Sequence, residues 1–314
     1  MRGMFPYVAY RAGETMVRVV PHRVAYRLGS AIADAVLVAQ PRRFDGLRDN
    51  LRHVLPDADD RTLRRVVRAN VRNLARSWID VMEMAHRADA VTARVHPVNV
   101  ENMIAPLERG RGAVVISLHL GSWEVGLAGW NHRFGSMAVL AEVLQPARLF
   151  ERIVNARGRL GVQVIPIDVS AMRSADSDSA RRLGAAALRD VYRTLRNNGL
   201  VAMAIERDLI GNGEPTPFFG AVAPIPTGVV EVAMRNGAAI VPVFLIRAGT
   251  RGDQIIAPCY PEIAYDATAP RKEEIRRVVA ALVTVFEEVI RAHPDQWHVL
   301  DPIWDSGAAS DVAR

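Results

Sequence analysis

The chain has 314 residues, of which 50% are hydrophobic and 24% charged, a balance that is typical of folded globular proteins and excludes a wholly disordered chain. Its single cysteine, Cys259, excludes an internal disulfide framework and fits a reducing compartment. The formal net charge of +6 implies an anionic partner, which could be nucleic acid, phospholipid headgroups or an acidic substrate. Because zinc-finger spacing, RNA-binding aromatics and a basic tail are lacking, nucleic acid is the weak candidate and is not the expected partner.

The first 92 residues are expected to form a helical N-terminal segment (1–92) that packs on the rest of the chain. Residues 4–20 and 23–40 are rich in apolar residues with interspersed arginines, and prolines mark their ends. These two helices fit a membrane interface and a packed helix pair equally well. A further long helix is predicted over 59–84, with the pair Asp59-Asp60 at its N-cap.

Residues 93–314 are expected to form one α/β core, because short apolar runs alternate with helical patterns. The predicted strands are 112–118, 136–143, 162–167, 200–205, 239–246 and 254–260. The predicted helices are 123–134, 147–160, 180–197, 228–236 and 270–292. The serine-rich stretch 169–180 predicts a mobile surface loop. The fold class is therefore α/β, with a mainly parallel sheet covered by helices on both faces and a helical N-terminal segment.

No stretch of the sequence predicts a transmembrane helix. The longest uncharged stretches, such as 215–230, are broken by Pro and Gly and fall short of about 20 apolar residues. The first residues lack the continuous apolar run of a signal peptide. We therefore expect a protein that is cytosolic or bound peripherally to the cytoplasmic face of the cell membrane.

The first candidate site is the stretch from Val114 to Glu124, where a buried strand leads into His119, a glycine and an acid. On one continuous helix His119 and Glu124 would point about 140° apart, so they can meet only across a strand-to-helix turn. Gly121 makes such a bend easy. Glu124 could then accept a hydrogen bond from one ring nitrogen and leave the other free as a base. The alternatives are an ordinary hydrogen-bonded pair and a metal site.

The second candidate site follows the predicted strand 200–205, where Glu206, Arg207 and Asp208 come directly after a buried run. Chemistry collects at the carboxyl ends of strands in open α/β sheets, so two polar strand ends favour a shared cleft. A salt-bridged strand end is the alternative. A third segment, 212–228, carries Phe219 and predicts a rigid loop that lines an apolar pocket or packs in the core.

The motifs "GAVVISLHLGSWE", "AIERDLIGNG", "PFFG", "PIPTG" and "HPDQWHVLDPIW" occur in this order. This set resembles the bacterial lipid A biosynthesis and phosphatidylinositol mannoside acyltransferases, which belong to the glycerolipid acyltransferase superfamily with its His-x4-Asp/Glu motif. The resemblance runs from about residue 50 to near the C-terminus. The His-x4-acid motif alone is moderately specific, whereas the ordered set is strong.

The resemblance implies that His119 is the general base and Glu124 its acidic partner, and that Glu206 assists the same histidine. Which acid orients His119 is left open. Arg157, in "NARGRLGVQVIP", matches an arginine that family members place in the site. Further substrate contacts are expected from Arg207, Ser122, Trp123 and Phe219.

The expected reaction is transfer of a fatty acyl chain from an acyl-CoA or acyl carrier protein thioester to a lipid hydroxyl, without an acyl-enzyme, a cofactor or a metal. Mannosylated phosphatidylinositol is the first choice of acceptor. Glu124 stands where the mannoside enzymes tend to have Asp, however, so a lipid A-type or lysophospholipid acyltransferase is an alternative. An anionic membrane surface is the expected partner.

Three competing hypotheses remain open at the level of sequence. A metal-dependent hydrolase would use His119, Glu124 and His132, and its activity would be sensitive to chelators. A non-catalytic lipid-binding protein of the same fold would bind liposomes without turnover. A nucleic-acid binder would show steeply salt-dependent binding.

Overall fold

The computed structural model describes residues 4–134, 137–174, 177–211, 213–249 and 252–304. Its N-terminal part consists of the helices α1 (Phe5–Val19), α2 (His22–Ala39), α3 (Asp45–Val54) and α4 (Asp60–Thr92). The side chain of Asp59 accepts a 2.8 Å hydrogen bond from the backbone N–H of Thr62, which makes it the N-cap of α4. The helix runs past its predicted end to Thr92, through a kink at Arg87.

The remaining chain alternates strands and helices. The strands are β1 (Val95–Val98), β2 (Ala113–Ser117), β3 (Met137–Glu142), β4 (Val162–Ile167), β5 (Leu200–Ala204), β6 (Glu214–Phe218), β7 (Ala221–Ile225), β8 (Ala239–Pro242), β9 (Ile246–Ala248) and β10 (Gln254–Pro258). The helices are α5 (Glu101–Glu108), α6 (Trp123–Phe134), α7 (Ala147–Arg159), α8 (Val169–Ser174), α9 (Ser177–Arg196), α10 (Gly228–Asn236) and α11 (Arg271–Ala292).

The central sheet has five strands in the order β4-β3-β5-β2-β8, and each neighbouring pair in it is parallel. A smaller sheet has the order β1-β10-β9, and β6 and β7 form an antiparallel hairpin. The prediction of an α/β fold with a mainly parallel sheet, covered by helices and preceded by a helical segment, is confirmed.

Helices cover both faces of the central sheet, as the side chains of β2 illustrate. Val114 and Ile116 face a core built with α9, α10 and α11, whereas Ala113 and Val115 face a second core that includes side chains of α4, α5, α6 and α7. Because both faces are covered, the strand is apolar throughout, which is the pattern that the sequence displays. In the described part of the chain, no helix is both long and apolar enough to cross a bilayer.

Three predicted elements were wrong in detail. The predicted strand 239–246 divides into β8 and β9, which belong to different sheets. Between them Val243 forms a bridge with Cys259 and Leu245 forms one with Gly121. The apolar run is buried as predicted, but its backbone changes partners along its length, and an apolar pattern does not specify a strand's partner.

The stretch 169–180 was predicted to be a loop, yet α8 and the start of α9 occupy the described part of it. The side chain of Asp168 accepts a 2.8 Å hydrogen bond from the N–H of Ala171 in the first turn of α8. Residues 175–176 lie outside the described part. The third segment, 212–228, is also wrong as a plain loop, because its described residues form the β6–β7 hairpin before α10.

Candidate active site

The carboxyl ends of β2 and β5 lie side by side at the centre of the sheet. Ser117 pairs with Ala204 in parallel register, so the residues two positions further on, His119 and Glu206, leave the sheet together. A site assembled from two neighbouring parallel strands is therefore the direct result of strand order.

His119 lies in the turn between β2 and α6, as the sequence predicted. Gly121 in this turn has φ +61°, and a Cβ built on it would stand 1.8 Å from the carbonyl oxygen of Leu245. The Leu245 backbone also bonds to this turn, since its carbonyl oxygen accepts a 3.1 Å hydrogen bond from the N–H of Ser122. A glycine is thus required both by the left-handed backbone and by the lack of space.

The imidazole of His119 is paired with Glu206. Its Nδ1 lies 2.9 Å from Oε1 of Glu206, and the backbone N–H of His119 donates to the same oxygen at 2.6 Å. Glu206 is fully buried, whereas the side chain of His119 is 32% exposed. The His119 ring is therefore held at Nδ1 by a buried acid, while part of its side chain stays exposed.

The charge state of Glu206 decides which nitrogen of His119 carries the proton. Burial would raise the pKa of Glu206, but the charge of His119 and the hydrogen bonds from it lower the pKa below its ordinary value. An ionised carboxylate can only accept, so Nδ1 of His119 is the donor. The other nitrogen, Nε2, then carries a lone pair, which is the state that a general base needs.

Glu124 has a different partner. Both of its carboxylate oxygens accept hydrogen bonds from Arg157, one of them from Nε at 3.0 Å. Glu124 lies in the first turn of α6 and Arg157 in the last turn of α7, and both side chains are largely buried. The acid that bonds to the histidine ring is thus Glu206, and Glu124 forms a two-pronged ion pair with the arginine instead.

Ser122, Trp123 and Arg207 lie around this pair. The ring of Trp123 stands edge-on to His119 with centroids 6.2 Å apart, and the Arg157 guanidinium lies 5.4 Å from the centroid of Trp123. The Ser122 hydroxyl donates to Asp80 at 2.8 Å, away from His119. Arg207 forms a 3.0 Å ion pair with Asp301.

A cavity of about 320 Å³ brings these residues together. His119, Ser122, Trp123, Glu124, Arg157 and Arg207 all line it. The rest of its wall is mainly apolar and comes from α4, β3, α7 and the ends of β4 and β5. Its members include Leu74, Trp78, Val81, Leu140, Phe150, Ile153, Ile167 and Met203. The cavity thus combines a polar end with an apolar wall, which suits a molecule with a reactive head and a hydrocarbon chain.

One predicted residue, Phe219, does not join this group. Phe219 packs against Phe218, Trp297 and Trp304 in the core, with the guanidinium of Arg291 4.9 Å from its ring centroid. It is absent from the described lining of the cavity. Of the two alternatives for this segment, an apolar pocket wall and core packing, Phe219 shows core packing. The side chain of His132 lies outside the described residues.

The sequence interpretation missed a buried polar network beside the turn. The fully buried carboxylate of Asp80 accepts hydrogen bonds from Ser122, Tyr26, Arg94 and Arg247. Arg247 also donates to Ser77, whose hydroxyl donates to the carbonyl of Gly121. Asp80 lies within the apolar pattern of α4, and a buried acid among apolar residues is the signal that could have revealed the network.

Three potential metal ligands meet in the same network. Ligand atoms of His22, Asp80 and Glu83 lie within 4.8 Å of one another. The guanidinium of Arg94 lies among them, 2.7 Å from Asp80 and 3.9 Å from Glu83. Because a cationic side chain already neutralises these acids, the group is better described as a buried ion-pair network.

The second missed residue is His298, which also lines the cavity. Its backbone N–H donates to the carbonyl of His119 at 2.7 Å, and its Nδ1 lies 2.9 Å from Oδ1 of Asn70 on α4. His298 lies in the quoted motif "HPDQWHVLDPIW", but this motif was used only for the resemblance, and no role was predicted for the histidine.

Comparison with known proteins identifies the family of the chain. Two curated relatives are phosphatidylinositol mannoside acyltransferases: the Mycolicibacterium smegmatis protein is 28% identical over 96% of this chain and 92% of its own length. The Mycobacterium tuberculosis (H37Rv) protein is 29% identical over 94% of this chain and 87% of its own length. The sequence model of the family described as bacterial lipid A biosynthesis acyltransferase matches residues 4–306. The chain therefore belongs to this acyltransferase family and is an enzyme of that class.

Proposed function

We propose that the protein transfers a fatty acyl chain from a thioester of CoA or acyl carrier protein to a hydroxyl of a membrane glycolipid, with His119 as the general base. The observation that carries this proposal is the pairing of Nδ1 of His119 with the buried Glu206, which leaves Nε2 as a lone-pair acceptor in a cavity with an apolar wall.

The chemistry follows from the poor nucleophilicity of an alcohol at neutral pH. Nε2 of His119 takes the hydroxyl proton as the alcohol oxygen bonds to the thioester carbonyl carbon. Glu206 stabilises the imidazolium that forms, through the hydrogen bond to Nδ1. The tetrahedral intermediate then collapses, the C–S bond breaks and the imidazolium returns the proton to the leaving thiolate. No covalent enzyme intermediate is needed.

Arg157 is the cation that we assign to the polar end of the cavity. Its guanidinium is held by Glu124 and lies over the Trp123 ring, so its position is fixed before substrate binds. A fixed cation in a largely buried site suits either the developing oxyanion or a phosphate of the donor. In this proposal Glu124 positions Arg157, and Glu206 orients the base.

The acceptor is proposed from the relatives. Both curated relatives are named phosphatidylinositol mannoside acyltransferases, so a mannosylated phosphatidylinositol is the first choice. A lipid A-type acceptor or a lysophospholipid is the second, since the matching family model is described by lipid A biosynthesis.

The test is acyl transfer from radiolabelled palmitoyl-CoA, and in parallel from palmitoyl-acyl carrier protein, to a panel of phosphatidylinositol mannosides, a lipid A precursor and a lysophospholipid. Label on one acceptor class would support transfer and identify the acceptor. An intact thioester with every donor and acceptor would contradict the proposal and favour a non-catalytic lipid-binding protein.

We further propose that α2 attaches the protein to the cytoplasmic face of the membrane. Val24, Leu28 and Ile32 are spaced four residues apart on this helix and are between 40% and 59% exposed. Arg23 and Arg27 are exposed beside them. A stripe of exposed apolar residues flanked by arginines matches an anionic lipid interface.

Replacing Leu28 and Ile32 together by glutamine should lower partition onto phosphatidylglycerol-containing vesicles by at least about tenfold, because apolar burial of this size contributes more than about 1.4 kcal/mol. Co-sedimentation at low salt measures the effect. Val222→Gln, on the β6–β7 hairpin, is the matched control, since Val222 is 64% exposed but lies outside α2. Equal binding by the double variant and the wild type would rule out α2 as the attachment site.

A further inference from the structure

His298 presents an unused hydrogen-bond acceptor beside the candidate base. His298 is one of the residues that line the same cavity as His119, and its backbone N–H donates to the His119 carbonyl at 2.7 Å. The reaction proposed above assigns no role to His298, although this residue lines the site.

Asn70 determines the protonation of the His298 ring. The amide nitrogen of Asn70 donates to the carbonyl oxygens of Pro294 at 3.0 Å and Trp297 at 2.8 Å. Because carbonyls can only accept, the amide cannot be flipped, and its Oδ1 must face Nδ1 of His298 at 2.9 Å. Nδ1 therefore carries the hydrogen, and Nε2 carries a lone pair.

Nε2 of His298 is buried and has no hydrogen-bond partner among the residues that the structure describes. Burial, followed by the charges of Arg247 and His119, lowers the pKa of His298 to about 3, so the ring is neutral at physiological pH. An unpaired buried acceptor is costly unless a donor arrives. In a substrate cavity the natural donor is a hydroxyl of the substrate.

We propose that Nε2 of His298 accepts a hydrogen bond from a second, non-reacting hydroxyl of the acceptor. The cavity then holds two imidazoles with separate roles: Nε2 of His119 takes the proton of the reacting hydroxyl, and Nε2 of His298 accepts a hydrogen bond from another hydroxyl of the same molecule. The acceptor class is accordingly a polyol, such as a sugar ring, and simple alcohols are poor acceptors. This inference rests on the proposed function and adds an acceptor-binding residue to it.

Two substitutions test the two ring nitrogens of His298 one at a time. The amide of an Asn side chain reaches about the position of Nδ1, so His298→Asn keeps the bond to Asn70 and removes the acceptor at Nε2. The longer Gln places an amide oxygen near the position of Nε2, so His298→Gln keeps the acceptor and loses the bond to Asn70. The two variants thus distinguish substrate binding from structural support.

The assay uses palmitoyl-CoA with n-octyl mannoside or 1-octanol as acceptor. We expect His298→Asn to reduce kcat/KM for octyl mannoside by roughly 5- to 150-fold, mainly through KM, the range that corresponds to a lost buried hydrogen bond. Its kcat/KM for 1-octanol should stay within about twofold of the wild type. His298→Gln should retain most of the activity toward octyl mannoside.

The possible outcomes distinguish failure of the His298 proposal from failure of the proposed function. An equal loss for both acceptors, or no loss for either, would overturn the role of His298 while leaving acyl transfer intact. Failure of the wild-type protein to acylate either acceptor would contradict the proposed function itself. In that case calorimetric titration of octyl mannoside still tests His298: weaker binding to His298→Asn than to the wild type supports the inference, and equal binding refutes it.

Discussion

His119→Ala should lower kcat/KM for acyl transfer by about 10²–10⁴, the usual contribution of a general base. The expectation follows from geometry: Glu206 accepts from Nδ1, and the lone pair on Nε2 is left for the acceptor hydroxyl. Glu206→Gln should also slow transfer, because a neutral amide does not stabilise the imidazolium that forms during the reaction. Steady-state rates with radiolabelled palmitoyl-CoA measure both effects.

A matched control is His96→Ala, which removes an exposed histidine on β1 outside the described cavity lining. This variant should keep the wild-type rate. Thermal unfolding of each variant shows whether a loss of activity comes from a loss of fold. A folded His119→Ala protein with an unchanged rate would eliminate His119 as the base.

Asp80→Ala should reduce the free energy of unfolding by about 3–5 kcal/mol, the typical cost of breaking a buried ion pair from one side. The carboxylate of Asp80 is fully buried and accepts from Arg247, Arg94, Tyr26 and Ser122. Its removal leaves the buried guanidinium of Arg247 without its counter-ion. Urea unfolding measures the loss.

Asp34→Ala is the control for this change. Asp34 also pairs with two arginines, Arg68 and Arg72, but at the surface, where ion pairs contribute little. Its removal should therefore cost far less than that of Asp80. Similar losses in the two variants would show that the buried network does not have the stabilising role assigned to it.

The pH dependence of the Asp80 contribution has a defined sign. Burial would raise the pKa of Asp80, but Arg247 and Arg94 lower it to about 2. Because the folded-state pKa lies below the unfolded value of about 3.9, the contribution is complete above about pH 4 and is lost as the pH falls towards 2. The difference in unfolding free energy between wild type and Asp80→Asn should narrow in that window. A difference that stays constant down to pH 2 would contradict this assignment.

The parts of the site that could be predicted from sequence are those encoded locally. The buried run before His119, the glycine after it and the charged residues after β5 each follow from a short pattern, and parallel pairing of β2 with β5 brings them together. The resemblance offered both Glu206 and Glu124 as partners of His119. The choice between them, and the pairing of Glu124 with Arg157, could not be predicted from the residues, because they depend on the relative positions of α6, α7 and two strands. From local sequence alone, Glu124 and Glu206 are equally good candidates for the acid that pairs with His119.

The missed features have the same physical origin. Asp80, Arg247 and His298 lie on three distant segments and meet only when α4, β9 and the stretch after α11 pack together. The run 239–246 was recognised as buried, but its change from one sheet to another depends on bridges to Cys259 and Gly121. A hydrophobic pattern reports burial, and the choice of neighbour is set by the tertiary structure.

The segment after α11 has a consequence for the order in which the enzyme becomes competent during synthesis. The carbonyl of Gln296 accepts from the N–H of Gly121 at 2.8 Å, and the N–H of His298 donates to the carbonyl of His119 at 2.7 Å. These bonds hold both sides of the turn that carries His119. A nascent chain that has emerged only as far as α11 contains every strand of the sheet, yet its His119 turn lacks these two bonds. We therefore expect a chain that ends after α11 to hold the His119 turn less firmly, and to transfer acyl groups more slowly, than the full chain.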